Sequence, residues 1–206
     1  TKMPHRIHSR LPLACNVANW HLTNRGNCGA WKKDVILRFI SFGGACYLVA
    51  GLAKAILACP ALAAKTNLTL INVALQTLAL HGFIGAVLFG CAHYMLPRVA
   101  QANWPHEKLI RVHFLCTAVG VSIMVIGFGF AGGSQAWKLA SASVPFLDAV
   151  KSPFLGLATL GLLVLIVGQL AFAANLVKLL RAVCAPVCRN LCSQAWGCGT
   201  DDARKA

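Results

Sequence analysis

Charge is what this sequence has least of. Only 12% of its 206 residues are Asp, Glu, Lys or Arg, and 58% are hydrophobic, whereas a soluble globular domain carries roughly a quarter charged residues. A water-exposed fold is excluded on that count, because the apolar residues come in runs too long for one to bury. Acids are scarcer still: Asp34, Glu107, Asp148, Asp201 and Asp202 are the whole set, and none stands inside a long apolar run. A proton-relaying transporter therefore has little to work with. The phosphate loop, the dinucleotide glycine fingerprint and the His-Glu-x-x-His helix are all missing, as is any internal repeat. No catalytic residue is expected from these motifs.

What is there is a set of spans. A helix crossing a hydrocarbon core needs about 20 predominantly apolar residues, and four stretches qualify: 35–59, closed by Pro60; 70–96, closed by Pro97; 109–131, ended by Gly132 and Gly133; and 154–180. The expected fold class is all-α, a polytopic four-helix transmembrane bundle with both termini on one side; β-barrel strands would alternate in short segments instead. The organisation follows: a basic N-terminal arm over 1–34, the transmembrane domain over 35–180, and a basic, Cys-rich tail over 181–206.

The formal net charge is +14, from 19 Lys and Arg against five acids. Such a balance suits nucleic acid or an anionic membrane surface, and position decides between them. Fifteen basic residues fall in the two ends, the 97–108 loop and the span ends adjoining them, three (Lys65, Lys138 and Lys151) on the opposite side, and Lys54 deeper inside a span. The positive-inside rule then puts both termini on the cytoplasmic, matrix or stromal face, of a bacterial cytoplasmic membrane or of an organelle inner or thylakoid membrane. The partners expected are anionic headgroups and other membrane subunits, not nucleic acid. The first 33 residues contain no acid and no apolar signal-peptide core, and read as a juxtamembrane arm.

Three histidines, His81, His93 and His113, lie in or beside the spans. Paired imidazoles in a membrane interior are a usual way to hold haem b. His93 ends the second span and His113 begins the third, so a short loop sets them at similar depth. His81 stands twelve residues before His93, about 18 Å along a helix, too far to share one iron with it. These three are candidate haem ligands or, on the plainer reading, packing residues hydrogen-bonded near a helix end.

Glycines 82, 85 and 90 in the second span, and 127, 129, 132 and 133 in the third, suit close helix packing, with room for a flat cofactor as the alternative. Of the ten cysteines, Cys184, Cys188 and Cys192 are spaced by four and share a helical face if the last helix continues, with Cys198 following. Metal sites use tighter Cys-x-x-Cys pairs, so free thiols are expected, with S-palmitoylation as the alternative. No metal is assigned. Asn67-Leu68-Thr69 matches a glycosylation tripeptide, which is weak evidence by itself.

The order of features resembles a known family. Leu37-Arg38-Phe39 opens a helix containing Gly43, Gly44 and Tyr47; His81-Gly82-Phe83-Ile84-Gly85 follows; the second span ends Phe89-Gly90-Cys91-Ala92-His93-Tyr94-Met95-Leu96-Pro97-Arg98; and Arg111-Val112-His113-Phe114 starts a helix finishing Ala131-Gly132-Gly133-Ser134-Gln135. This is similar to the C-terminal part of the catalytic subunit of C-family, cbb-type, haem–copper oxidases, over roughly Val35 to Leu180. In that family a His-x-His pair at the helix start ligates the two haems. Here the corresponding stretch reads Leu78-Ala79-Leu80-His81-Gly82, and the upstream helices that bring the copper ligands have no counterpart in this sequence.

The resemblance implies a truncated form that is not an oxygen reductase by itself: a non-catalytic accessory subunit of a respiratory or photosynthetic electron-transfer complex, with no cofactor expected on the isolated chain. The alternatives are a b-haem electron carrier using His81, or His93 with His113, and a small membrane transporter or channel.

Overall fold

The computed structural model describes residues 15, 18–19, 22, 25, 34–140 and 153–195. Its elements are α1 (Val35–Leu57), α2 (Pro60–Thr66), α3 (Leu70–Thr77), a π-helical stretch (Leu78–Gly85), α4 (Ala86–Val99), α5 (Glu107–Ala140) and α6 (Pro153–Ala195). Four continuous helical segments, Val35–Leu57, Leu70–Val99, Glu107–Lys138 and Pro153–Ala185, are long and apolar enough to cross a membrane. The fold is an all-α polytopic membrane bundle. Its outward surface is apolar, with Leu52, Leu88, Leu115 and Leu170 among the exposed side chains, the inverse of a soluble protein and suited to lipid.

Local chemistry sets the helix ends. Asp34 caps α1, its side chain accepting the Ile36 N–H at 2.9 Å. Lys54 lies in the last turn of α1 and is exposed, where a long stem can carry its charge to the interface. Pro60 does not simply close the span: it occupies the first turn of α2, where its missing N–H costs nothing. The connection to α3 is tied by its own side chains. The Thr69 hydroxyl donates to the Thr66 carbonyl at 2.8 Å, and the Asn72 amide donates to the carbonyls of Thr66 and Asn67 at 3.3 and 2.9 Å. Gln135 Oε1 then accepts the Leu70 N–H at 2.8 Å, pinning the start of α3 to α5.

Three helix ends run past the positions read from the sequence. Gly132 and Gly133 do not end the third helix, which runs to Ala140, because Gly132 serves a close approach: a Cβ there would run into the Ile71 N and lie 2.7 Å from the Leu70 carbonyl carbon. Pro97 does not end the second, which continues to Val99 and closes in a Schellman turn, Ala102 N–H donating to the Pro97 carbonyl at 3.0 Å and Gln101 N–H to Arg98 at 3.3 Å. Gln101 takes the left-handed position, φ 50°, usually filled by glycine. The fourth helix runs past Leu180 to Ala195, so Cys184, Cys188 and Cys192 do share one continuous helix.

Glycine contacts fix the packing. Gly43 and Gly90 bring α1 against the second span: a Cβ on Gly43 would lie 2.8 Å from Val87 Cγ2, and one on Gly90 would lie 3.1 Å from Phe39 Cβ. Gly120 and Gly161 face each other across α5 and α6, each Cβ position 2.7–2.8 Å from the other's carbonyl oxygen. Gly127 and Gly82 are also packing positions, whereas Gly129 and Gly133 meet nothing within 4 Å among the described residues. Helix α5 is thereby central, with α3 and α6 packed on it and α1 packed on the π stretch and α4.

Candidate functional site

The second and third spans meet where they leave the loop, and His93 and His113 meet with them. His93 Nε2 and His113 Nδ1 are 3.0 Å apart in a direct hydrogen bond. The rings are 1% and 0% exposed, so the depth match read from the sequence becomes contact. Phe39 from α1 lies 5.5 and 5.1 Å from the two ring centroids, Phe172 from α6 lies 5.2 and 5.3 Å away, and Phe89 stands edge-on to His113 at 4.7 Å. Four helices thus converge on one imidazole pair in an aromatic box.

With both rings neutral, each carries one N–H. Whichever donates, one donor and one acceptor are left over, and His93 Nδ1 and His113 Nε2 have no partner among the described residues. Thr117 Oγ1, one turn past His113, and Asn175 Oδ1 are likewise buried without partners among those residues; the Asn175 amide donates to the His106 carbonyl at 3.2 Å. Such orphans cost free energy inside a membrane. The pair therefore acts as a directional clamp between the second and third spans, closed by aromatic contacts.

Pro97 explains the tryptophan in the loop. Lacking an N–H, it leaves the carbonyl four residues back, that of His93, without its helical partner. Trp104 Nε1–H donates to that carbonyl at 2.8 Å, and its indole packs edge-on to His93 at 5.2 Å. Trp104→Phe is expected to cost about 1–3 kcal/mol by orphaning the carbonyl, and adding Pro97→Ala should recover part of it by restoring the N–H; unfolding midpoints of the single and double variants in mild detergent measure both. Equal losses in the two would refute the link. Near the same end, the Arg98 guanidinium sits 3.9 Å over the Tyr94 ring.

His81 is placed elsewhere. It lies in the π stretch, exposed, and joins neither of the other histidines. Phe39, Trp104, Phe172 and Asn175 were not singled out from sequence as site residues; the Pro97 gap was the one signal that could have pointed to Trp104. Among the described residues no group of three His, Cys, Asp or Glu side chains is placed to hold a metal ion. Cys46 is buried, Cys116 half-buried, and Cys15, Cys59, Cys91, Cys184 and Cys188 exposed, all as free thiols; Cys198 lies outside the described residues.

The order of spans, the convergence of their histidines and the glycine-spaced contacts can be set beside known proteins. Residues 7–164 match the family model described as cytochrome C and quinol oxidase polypeptide I. The chain belongs to that family. No curated protein matches it. The polypeptide I match takes in most of the basic arm and the first three spans, and stops within α6.

Polypeptide I membership raises haem, and the imidazole pair can be tested against it. Axial ligands stand in line on opposite faces of the porphyrin; with metal–imidazole bonds of about 2 Å, the two nitrogens would be about 4 Å apart with a flat ring between them. Here the nitrogens touch at 3.0 Å and the flanks are filled by Phe39, Phe89 and Phe172. The arrangement does not fit a haem held between His93 and His113. His81 has no second imidazole opposite it among the described residues.

Proposed function

We propose that this oxidase polypeptide I relative serves as a non-catalytic accessory subunit of a membrane electron-transfer complex, resembling the last third of a C-family catalytic subunit. The observation that carries the reading is the direct His93–His113 bond, which spends on helix packing the two imidazoles best placed for a ligand pair. The run Phe89–Arg98 and the helix from His113 to Gln135 support the C-family likeness. The reading assigns no catalytic residue and no stoichiometric haem b to the isolated chain. It places the basic ends on the cytoplasmic, matrix or stromal face, against anionic headgroups and partner subunits.

The test is gentle extraction from native membranes, followed by identification of the co-purifying subunits and a reduced-minus-oxidised spectrum of the separated chain. The expected result is an assembly with redox subunits and no b-type α-band from the chain itself. A sharp α-band lost on replacing His81, His93 or His113 by Ala would overturn the reading in favour of an electron carrier. Isolation without any redox partner would count against it as well.

A further inference from the structure

Polar side chains that face outward from these spans are mostly satisfied at home. Ser122 is exposed and its hydroxyl donates to the Ala118 carbonyl of its own helix at 2.8 Å; Thr159 does the same to Gly156 at 2.7 Å. Gln76 and His81 differ. Both are exposed on the second span, and neither has a hydrogen-bond partner among the described residues. His81 stands near the middle of the span Leu70–Val99, at a depth where lipid offers no donor or acceptor. Ionisable side chains at that depth almost always face protein or a water-filled cavity, and glutamine side chains in spans hydrogen-bond across helices.

A notch lies beside them. Gly85 is one turn past His81, and among the described residues a Cβ there would meet, within 4 Å, the Leu80 carbonyl of its own helix alone, at 3.2 Å. Among the described residues no other helix uses that glycine, although small residues at a span surface are what allow another backbone to come close. Leu80, Ile84 and Leu88 complete the exposed sector.

We infer that the chain pairs with a second copy of itself through this outward face of the second span, Gln76 and His81 bonding across a two-fold axis along the membrane normal. Two copies of one sequence insert the same way round, so such an axis brings each residue opposite its equivalent at equal depth. A glutamine amide and a neutral imidazole each carry both a donor and an acceptor, so Gln76 can pair with Gln76 and His81 with His81, while Gly85 lets the backbones approach. An Asp, Lys or Arg at either position would have called for a partner of different sequence. These two side chains are self-complementary.

The experiment uses the full chain in lipid nanodiscs and mild detergent. Wild type is expected to show two chains per particle by mass photometry, and a photo-crosslinking residue at position 84 should join copy to copy. The double variant His81→Leu, Gln76→Leu should weaken dimerisation by at least about tenfold, with an unchanged unfolding midpoint of the single chain showing that the fold survives. Ile84→Trp, a bulky change on the exposed face, should act the same way. Monomeric wild type, a dimer indifferent to both variants, or crosslinks only to lipid, to another protein or to the chain's own arm would each overturn the inference. So would a b-type absorption band lost in the double variant, because the contact would then run through haem.

Discussion

Replacement of His113 by alanine is expected to cost about 3 kcal/mol or more of bundle stability. Two losses combine. The ring fills the centre of a box made by Phe39, Phe89 and Phe172, so truncation leaves a cavity of the kind that costs several kcal/mol in close-packed interiors. Removal also strips His93 Nε2 of its hydrogen-bond partner, at 1% exposure, adding the penalty of an unsatisfied buried group. The two terms separate with leucine, which keeps most of the volume: His113→Leu and His93→Leu should each cost about 1–3 kcal/mol, and the double variant clearly less than their sum, because removing both partners leaves no orphan in that bond. Unfolding titrations of all four species in mild detergent decide it. Strict additivity would mean that the hydrogen bond contributes nothing.

Gly161→Leu is expected to undo the docking of α6. A Cβ at 161 would already lie 2.7 Å from the Gly120 carbonyl oxygen and from Met124 N, both backbone atoms of α5 that cannot swing aside. Overpacking typically costs about 1–3 kcal/mol when neighbours can adjust, and a full leucine against backbone should reach the upper end. Because α6 packs its backbone chiefly on α5, the damage should stay local: protease sensitivity should rise in α6 while α1 to α5 hold. Leucine at Gly129, where nothing lies within 4 Å, serves as the control and should be nearly silent. Equal effects at the two positions would refute the close crossing.

The four spans were legible because hydrophobic length is read residue by residue, without knowing what packs on what. The meeting of His93 and His113 was half legible: a short loop fixes their depth, while their rotation toward each other depends on Gly43 and Gly90 drawing α1 in and setting Phe39 against both rings. The helix ends were read from local breakers, and the structure answers them with distant partners. Pro97 is tolerated because Trp104 supplies the donor it lacks, and Gly132 is consumed by contact with α3. The π stretch around His81 has no periodicity signal of its own, so the outward placement of that imidazole could not be read from spacing. Phe172 and Asn175 join the site from the far end of the chain, where sequence distance hides spatial nearness.

The way α6 leans on α5 also bears on the order of events during synthesis. A chain made from its N-terminus completes the helix pair carrying His93 and His113 before residue 172 has been added, so their bond can form on a three-span intermediate. One wall of the box is then still open to lipid and water. Only the arrival of the fourth span brings Phe172 over the two rings and Asn175 to the His106 carbonyl. Burial of the imidazole pair is therefore a marker of the finished bundle, and anything that reaches those rings must do so while the chain is still being built.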